Sequence, residues 1–199
     1  MNLSIIENCS PYYIRFTHNN VDEVISKCLE FVDNKQFINP FTHYVYPLDN
    51  AKSILSLIPI TTLIDFDPNR VSLFVTQPGV YYRAHKDGNI PPHRFSINYT
   101  VKILDNSCVT SWYSDEDLKG YFRDYRVKNS RECLKFDKNK HTPLHSMTAI
   151  QGECILFNTE IYHDFDNSES LNERMILTLR HVDPASVYFE DIRKVLFNI

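Results

Sequence analysis

A mainly β chain with flanking helices is what the sequence predicts, on three observations. Short apolar runs bounded by Gly, Pro and Asn recur through residues 71–101 and 154–181. Two of them, RFSINYTVKI and RMILTLRHV, alternate apolar with polar residues, the period of a strand with two different faces. Helical periodicity is confined to two stretches before residue 60 and to the C-terminal tail.

In chain order, PYYIRFT (residues 11–17) reads as a short strand. In VDEVISKCLEFV, Val21, Val24, Ile25, Cys28 and Phe31 or Val32 recur at helical spacing, with Asn19 or Asn20 as the cap. A second helix follows over AKSILSLI, capped by Asp49 and stopped by Pro59, with Ile54, Leu55 and Ile58 on one face. Both helices read as supports for one side of a sheet, with no chemistry of their own. VSLFVTQPGVYYRAHKDGN (71–89) holds two apolar runs around Pro78-Gly79 and breaks at Gly88-Asn89, a β-hairpin or two consecutive strands. In the next strand Phe95, Ile97, Tyr99 and Val101 share one face, and Arg94, Ser96, Asn98 and Thr100 the other. That polar set faces either water or an enclosed polar pocket, with Arg94 at its mouth or in solvent.

Residues 105–140 are the least regular. TSWYSDEDLKGYF reads as a strand end and a short helix capped near Ser114, ahead of a charged run through Lys128, Arg131, Lys135 and Lys138, a solvated loop or lid. His141 and His145 stand four apart, but Pro143 between them argues against a helix, so both read as loop histidines. AIQGECILF is a further strand, followed by a turn-rich loop carrying His163. In the last strand Arg174, Ile176, Thr178 and Arg180 lie opposite Met175, Leu177 and Leu179. FEDIRKVLFNI closes the chain as a helix.

Composition bounds the rest. The 199 residues, 43% apolar, suit one domain: residues 1–70 an N-terminal helical support, 71–181 the β core and 182–199 a C-terminal helix. A net charge of −4 with no basic stripe argues against a nucleic-acid partner. No apolar run is long enough for a membrane span, and MNLSIIENCS has no signal-peptide pattern. Cys9, Cys28, Cys108, Cys133 and Cys154 are scattered and odd in number, which reads as reduced thiols in a cytoplasmic protein.

The candidate chemistry centres on His85-Lys86-Asp87. Residues two apart on a strand share a face, so His85 and Asp87 point together, an imidazole and a carboxylate suited to a facial 2-His-1-carboxylate metal site. His163 offers the third ligand, and Arg174 opens the next strand eleven residues later. Each piece is common by itself; the order and strand placement of all four single them out.

H-x-D, then NTxxxH, then an arginine on the next strand resembles the Fe(II)/2-oxoglutarate-dependent oxygenases. The resemblance runs from about Val71 to His181, carried by QPGVYYRAHKDG, RFSINYTV and FNTEIYHDFDN…ERMILTLR. It implies a double-stranded β-helix, jelly-roll or cupin-like, packed against the N-terminal helices. It also implies that His85, Asp87 and His163 hold Fe(II), and that Arg174 grips the distal carboxylate of 2-oxoglutarate as co-substrate, with O2 as oxidant. Arg180, on the same strand face, is the rival for that grip. The Arg-x-Ser pairing common in the family is absent, leaving Thr178 as the hydroxyl nearby. Asn98, and Tyr82 or Tyr81, are candidates for the metal-proximal carboxylate. The implied activity is hydroxylation of an unactivated C–H bond, and Arg94 at the pocket mouth would suit an amino acid, free or in a peptide, ahead of other small molecules. The reading from another class is a non-enzymatic cupin or lectin-like binding module, in which the same residues hold a structural ion or none.

Overall fold

The polypeptide switches between two sheets at Pro78-Gly79, immediately before the strand that carries the candidate ligands. The computed structural model describes residues 2–33, 43–47, 51–87, 93–118 and 136–199. Its strands are β1 (Leu3–Cys9), β2 (Tyr13–His18), β3 (His43–Pro47), β4 (Ser72–Thr76), β5 (Val80–His85), β6 (Phe95–Lys102), β7 (Val109–Tyr113), β8 (His145–Thr148), β9 (Cys154–Asn158), β10 (Tyr162–Asn167) and β11 (Arg174–Leu179). Three α-helices join them: α1 (Val21–Asp33), α2 (Ala51–Leu57) and α3 (Phe189–Phe197).

The strands form a seven-stranded sheet, in the order β1-β2-β9-β6-β11-β4-β3, and a four-stranded sheet, β5-β10-β7-β8, both antiparallel throughout. β4 and β5 are consecutive strands in different sheets, so no hairpin forms there. Gly79, at φ +74°, supplies the left-handed step of that turn, which a side chain would resist.

The alternation read in β6 and β11 holds. Phe95, Ile97, Tyr99, Val101, Met175, Leu177 and Leu179 join Leu73 and Val75 in one buried cluster, with α1, α2 and α3 packed over it. α3 is capped by the Asp191 carboxylate on the Tyr188 N–H (3.1 Å) and ends at left-handed Asn198. The opposite face of the same strands looks between the sheets. There Tyr13, Trp112, Met147, Ile155 and Phe157 fill one region, leaving the polar residues of β6 and β11 beside the candidate ligands.

Several expectations need correcting. The first 70 residues are more than helical support: β1 and β2 extend one edge of the large sheet and β3 forms the other. At the start of α1 the Asn20 carbonyl accepts from Val24 N–H, while its side-chain amide is tied to the Leu57 carbonyl (3.0 Å). His145 lies in a strand, not a loop: it opens β8, paired with Trp112. The expected Asp49 cap, the Gly88-Asn89 break and the charged run at Lys128, Arg131 and Lys135 lie outside the described residues. Among the described residues no helix is long and apolar enough to cross a membrane.

Candidate metal centre

His85 closes β5, Asp87 follows it, and His163 lies on the adjacent strand β10, directly opposite His85 in the register. Simple alternation would send Tyr82 and His85, three apart, to opposite faces. A bulge prevents this. β10 pairs His163 with His85 and Phe165 with Tyr82, so Arg83 and Ala84 together face Asp164 alone. Ala84 then packs outside the small sheet with Tyr113, Leu118 and Phe136, while His85 turns inward with Tyr82, its ring edge-on at 4.8 Å.

The Asp87 Oδ1 lies 3.3 Å from His85 Nε2 and 3.8 Å from His163 Nε2, and all three donor atoms fall within 4.8 Å of one another. Ligands on one face of an octahedral ion at about 2.0–2.2 Å stand about 3 Å apart, so a small contraction closes the set. Both tautomers are fixed. The His85 Nδ1–H donates to the Arg83 carbonyl (2.9 Å) and the His163 Nδ1–H to the Ile161 carbonyl (2.8 Å), which leaves both Nε2 lone pairs facing Asp87.

His163 Nε2 is buried and has no hydrogen-bond partner, an orphaned acceptor that a cation would satisfy. Burial first, and then the neighbouring His85, lowers His163 to about 3, so the ring is neutral and able to ligate. Burial alone would raise Asp87, but the Arg180 guanidinium and the histidines hold it well below the usual carboxylate range. Two imidazoles that each turn Nε2 to one point, with an ionised carboxylate between them, are a donor set suited to a divalent transition metal.

Arg180 and Arg174 have different surroundings. Arg180 donates to Asp87 Oδ2 (2.5 Å), fixing the carboxylate so that Oδ1 faces the histidines. Arg174 stands six positions away on β11, about 20 Å along the strand. Its side chain is buried over the Phe165 ring (4.6 Å), its Nε has no partner, and burial lowers its pKa. The Phe165 ring also contacts both candidate ligand rings, at 6.0 Å from His85 and 5.6 Å from His163. A single aromatic side chain thus links the three-ligand cluster with a guanidinium that has no anion beside it among the described residues.

Asn98 and Thr178 are cross-strand neighbours on the inner face, and Asn98 Oδ1 is buried without a partner. Thr178 is four positions from Arg174, about 13 Å along β11, so it accompanies Asn98 rather than the free guanidinium. The hydroxyls on the guanidinium's side are Thr100, already in the polar set of β6, and Thr110, which the sequence did not single out. Thr110 is paired with Phe165 across β7 and β10, and Thr100 lies opposite Ile176; the Oγ1 of each is buried and unpartnered. Thr110 sits in VTSWY, whose alternation would have placed it on the face of Trp112.

Other candidates fall away from the centre. Tyr81 points outward, its hydroxyl donating to Asp164 (2.7 Å), so only Tyr82 of the pair is in place. Arg94 is not free at a pocket mouth: it donates to Glu160 (2.5 Å) and the Ala185 carbonyl (2.7 Å), and lies on the Tyr188 ring. It anchors the segment leading into α3. His141 stacks on Phe136 and His145 lies 3.2 Å from the Tyr13 hydroxyl, both away from the ligands.

Solved structures place this architecture. The chain superposes on HygX from Streptomyces hygroscopicus with nickel and 2-oxoglutarate bound, at a TM-score of 0.54, with 10% identity over 84% of this chain and 81% of that one. The epimerase SnoN, in complex with Fe3+, alpha ketoglutarate and nogalamycin RO, gives 0.54 with 7% identity over 84% and 77%. A Pseudomonas putida prolyl-4-hydroxylase gives 0.51 with 14% identity over 86% and 94%. The chain has the double-stranded β-helix fold of these structures. No protein-family model and no curated protein matches the sequence. In this fold the two sheets are the facing walls, with His85 on β5, His163 on β10 and Asp87 just past β5 on one wall and β6 and β11 on the other.

Proposed function

We propose that the protein is an Fe(II)/2-oxoglutarate-dependent dioxygenase that hydroxylates an unactivated C–H bond. One observation carries the reading: three donor atoms converge on one point, one of them a buried orphan, and across a single phenylalanine lies a buried arginine with no anion among the described residues. A module built only to hold a structural ion has no use for that arginine, because an unpaired buried guanidinium costs stability.

In this reading His85, Asp87 and His163 hold the metal. Bound Fe(II) supplies the activation of O2 that converts 2-oxoglutarate to succinate and CO2 and places one oxygen atom on the substrate carbon. Arg174 receives the distal carboxylate of the co-substrate, its planar fork suited to two parallel hydrogen bonds, and the Thr100 and Thr110 hydroxyls complete the cradle. Asn98 and Thr178 line the path between the ends, with Tyr82 beside His85. Arg180 orients Asp87. Buried walls keep water from competing for these groups.

We propose an amino acid, free or within a peptide, as the substrate, acted on in the cytoplasm. The likeness to a prolyl-4-hydroxylase and four free described thiols are in keeping with this, and the chain's acidic balance disfavours nucleic acid. The test is succinate formation from 2-oxoglutarate with Fe(II) and O2, run across a panel of free amino acids and peptides. Succinate in the wild type, stimulated by a panel member and reduced at least about 100-fold by Asp87→Ala, is the expected result, since losing a ligand costs more than losing a residue that only hydrogen-bonds one. Equal succinate from both proteins would overturn the assignment.

A further inference from the structure

Asp164 is the residue between His163 and Phe165, yet its side chain faces away from the ligands. It is buried on the outer side of the small sheet. Its Oδ2 accepts from two tyrosine hydroxyls, Tyr81 on β5 (2.7 Å) and Tyr113 on β7 (2.8 Å), and its Oδ1 accepts from Ser111 N–H on β7 (3.1 Å). One carboxylate therefore ties both neighbouring strands to the strand that carries His163.

Its place in the register gives this tie a consequence. Asp164 is the residue that the β5 bulge faces, with Arg83 and Ala84 opposite it. The bulge turns His85 inward, and the carbonyl of bulged Arg83 accepts the His85 Nδ1–H and so fixes which nitrogen faces the metal point. A regular strand would be the simpler ladder; something must hold the extra residue in place. Tyr81 lies two residues before the bulge, paired with Asp166 in the ladder, and its hydroxyl adds a side-chain tie from β5 to Asp164 at the bulge itself.

We propose that Asp164 is a positioning residue for the metal centre: by clamping Tyr81 and Tyr113 it holds the β5 bulge, and through the bulge the aim and tautomer of His85. The inference rests on the metal reading above. It assigns no contact between Asp164 and the metal, and the carboxylate acts wholly from the far side of the sheet.

The test is Mn(II) affinity of the metal-free full chain, followed by the loss of the free-ion electron paramagnetic resonance signal, with the absorption of the Co(II)-loaded protein as a second readout. Tyr99→Phe is the reference, since it removes a comparable buried tyrosine bond, to His18 (2.9 Å), in the helix-covered core. Asp164→Asn is expected to weaken Mn(II) binding by about tenfold, the lower end of outer-shell effects, and to shift the Co(II) bands. Tyr81→Phe and Tyr113→Phe move both readouts the same way by less, and carry the test if Asp164→Asn does not fold. Tyr99→Phe lowers the melting temperature but leaves Mn(II) affinity unchanged. Affinities in the three outer-face variants equal to that of Tyr99→Phe, with wild-type binding intact, overturn this inference alone. No Mn(II) binding by the wild type, or binding that survives His85→Ala, overturns the metal reading and this inference with it.

Discussion

The two faces of β6 and β11 are buried to nearly the same degree, yet they are built in opposite ways. Towards the helices stand Ile97, Tyr99, Val101, Leu177 and Leu179, all without exposed surface. The single polar atom among them, the Tyr99 hydroxyl, is bonded to His18. Towards the small sheet stand Asn98, Thr100, Arg174 and Thr178, also buried, and on that side Asn98 Oδ1, Thr100 Oγ1 and Arg174 Nε have no partner. Folded proteins leave few buried polar groups unsatisfied, so several on one face of one sheet mark ground prepared for a ligand. Burial does not separate the two faces. Satisfaction does.

A pair of substitutions breaks this comparison most sharply. Leu177→Ala, on the helix side, opens a cavity and is expected to lower stability by about 2–5 kcal/mol while the KM for 2-oxoglutarate holds. Arg174→Met, on the inner side, should raise that KM by about 30- to 5000-fold, the range for removing one partner of a buried charged pair. Its metal-free stability should stay level or rise, because the unpaired guanidinium is gone. Thermal melts and co-substrate titration of both variants check this. A melting-temperature loss in Arg174→Met as large as in Leu177→Ala would mean that the inner face is ordinary core.

Much of this contrast is legible in the sequence, and the gaps have physical causes. Alternation in RFSINYTVKI and RMILTLRHV places each side chain on its face, since period two needs no partner to be read. It says nothing of where a long side chain goes once off the strand. Arg94 has the parity of Asn98 but lies before β6, where Glu160 and the Ala185 carbonyl take it. The edge strand β1 carries no strong pattern, because no residue along it is fully buried. The bulge at Arg83–Ala84 is a property of register with β10, so no reading of β5 alone could find it, although it decides where His85 points. His85 and Asp87 converge as expected, but Asp87 lies past the strand, held by its N–H on the Thr159 carbonyl (3.2 Å) and by Arg180.

The arginines that open and follow β11 sharpen the comparison within the inner face. Arg180 has its anion in Asp87; Arg174 has none among the described residues. Arg180→Met therefore acts through a ligand and not on the co-substrate. It is expected to weaken Mn(II) binding by about 10- to 100-fold, as loss of a partner bonded directly to a metal ligand does, with little change in the KM for 2-oxoglutarate at saturating metal. The roles exchange in Arg174→Met, which should leave Mn(II) affinity near the wild type. If both variants raised the KM alike, the two guanidiniums would share one carboxylate and the separation of roles would fail.

The smallest expected effect is a slope in stability against pH, and it tests whether the inner face is dry. His163 is held down to about 3 by burial and then by His85, against an ordinary value of 6.5. His93 is lowered to about 4, by burial and then Arg180, and on the helix side burial lowers His18 as well. A histidine kept neutral in the fold takes up a proton on unfolding, so the unfolded chain binds more protons below pH 6.5 and stability falls as pH drops through that window. Asp87 behaves differently: its depressed pKa stabilises the fold above its ordinary 3.8 and is lost only as pH falls below that. Between about pH 6.5 and 4 the downward slope comes from the histidines, opposed by Asp164, whose carboxyl is raised above 3.8 by burial and so favours the fold as pH drops. Denaturant unfolding in a chelator should show the wild type losing stability more steeply across that window than His163→Gln, while His18→Gln removes only the helix-side share. Parallel curves for wild type and His163→Gln would mean that the His163 ring reaches water in the native state, and a wet ring there would leave no orphaned acceptor for a metal to satisfy.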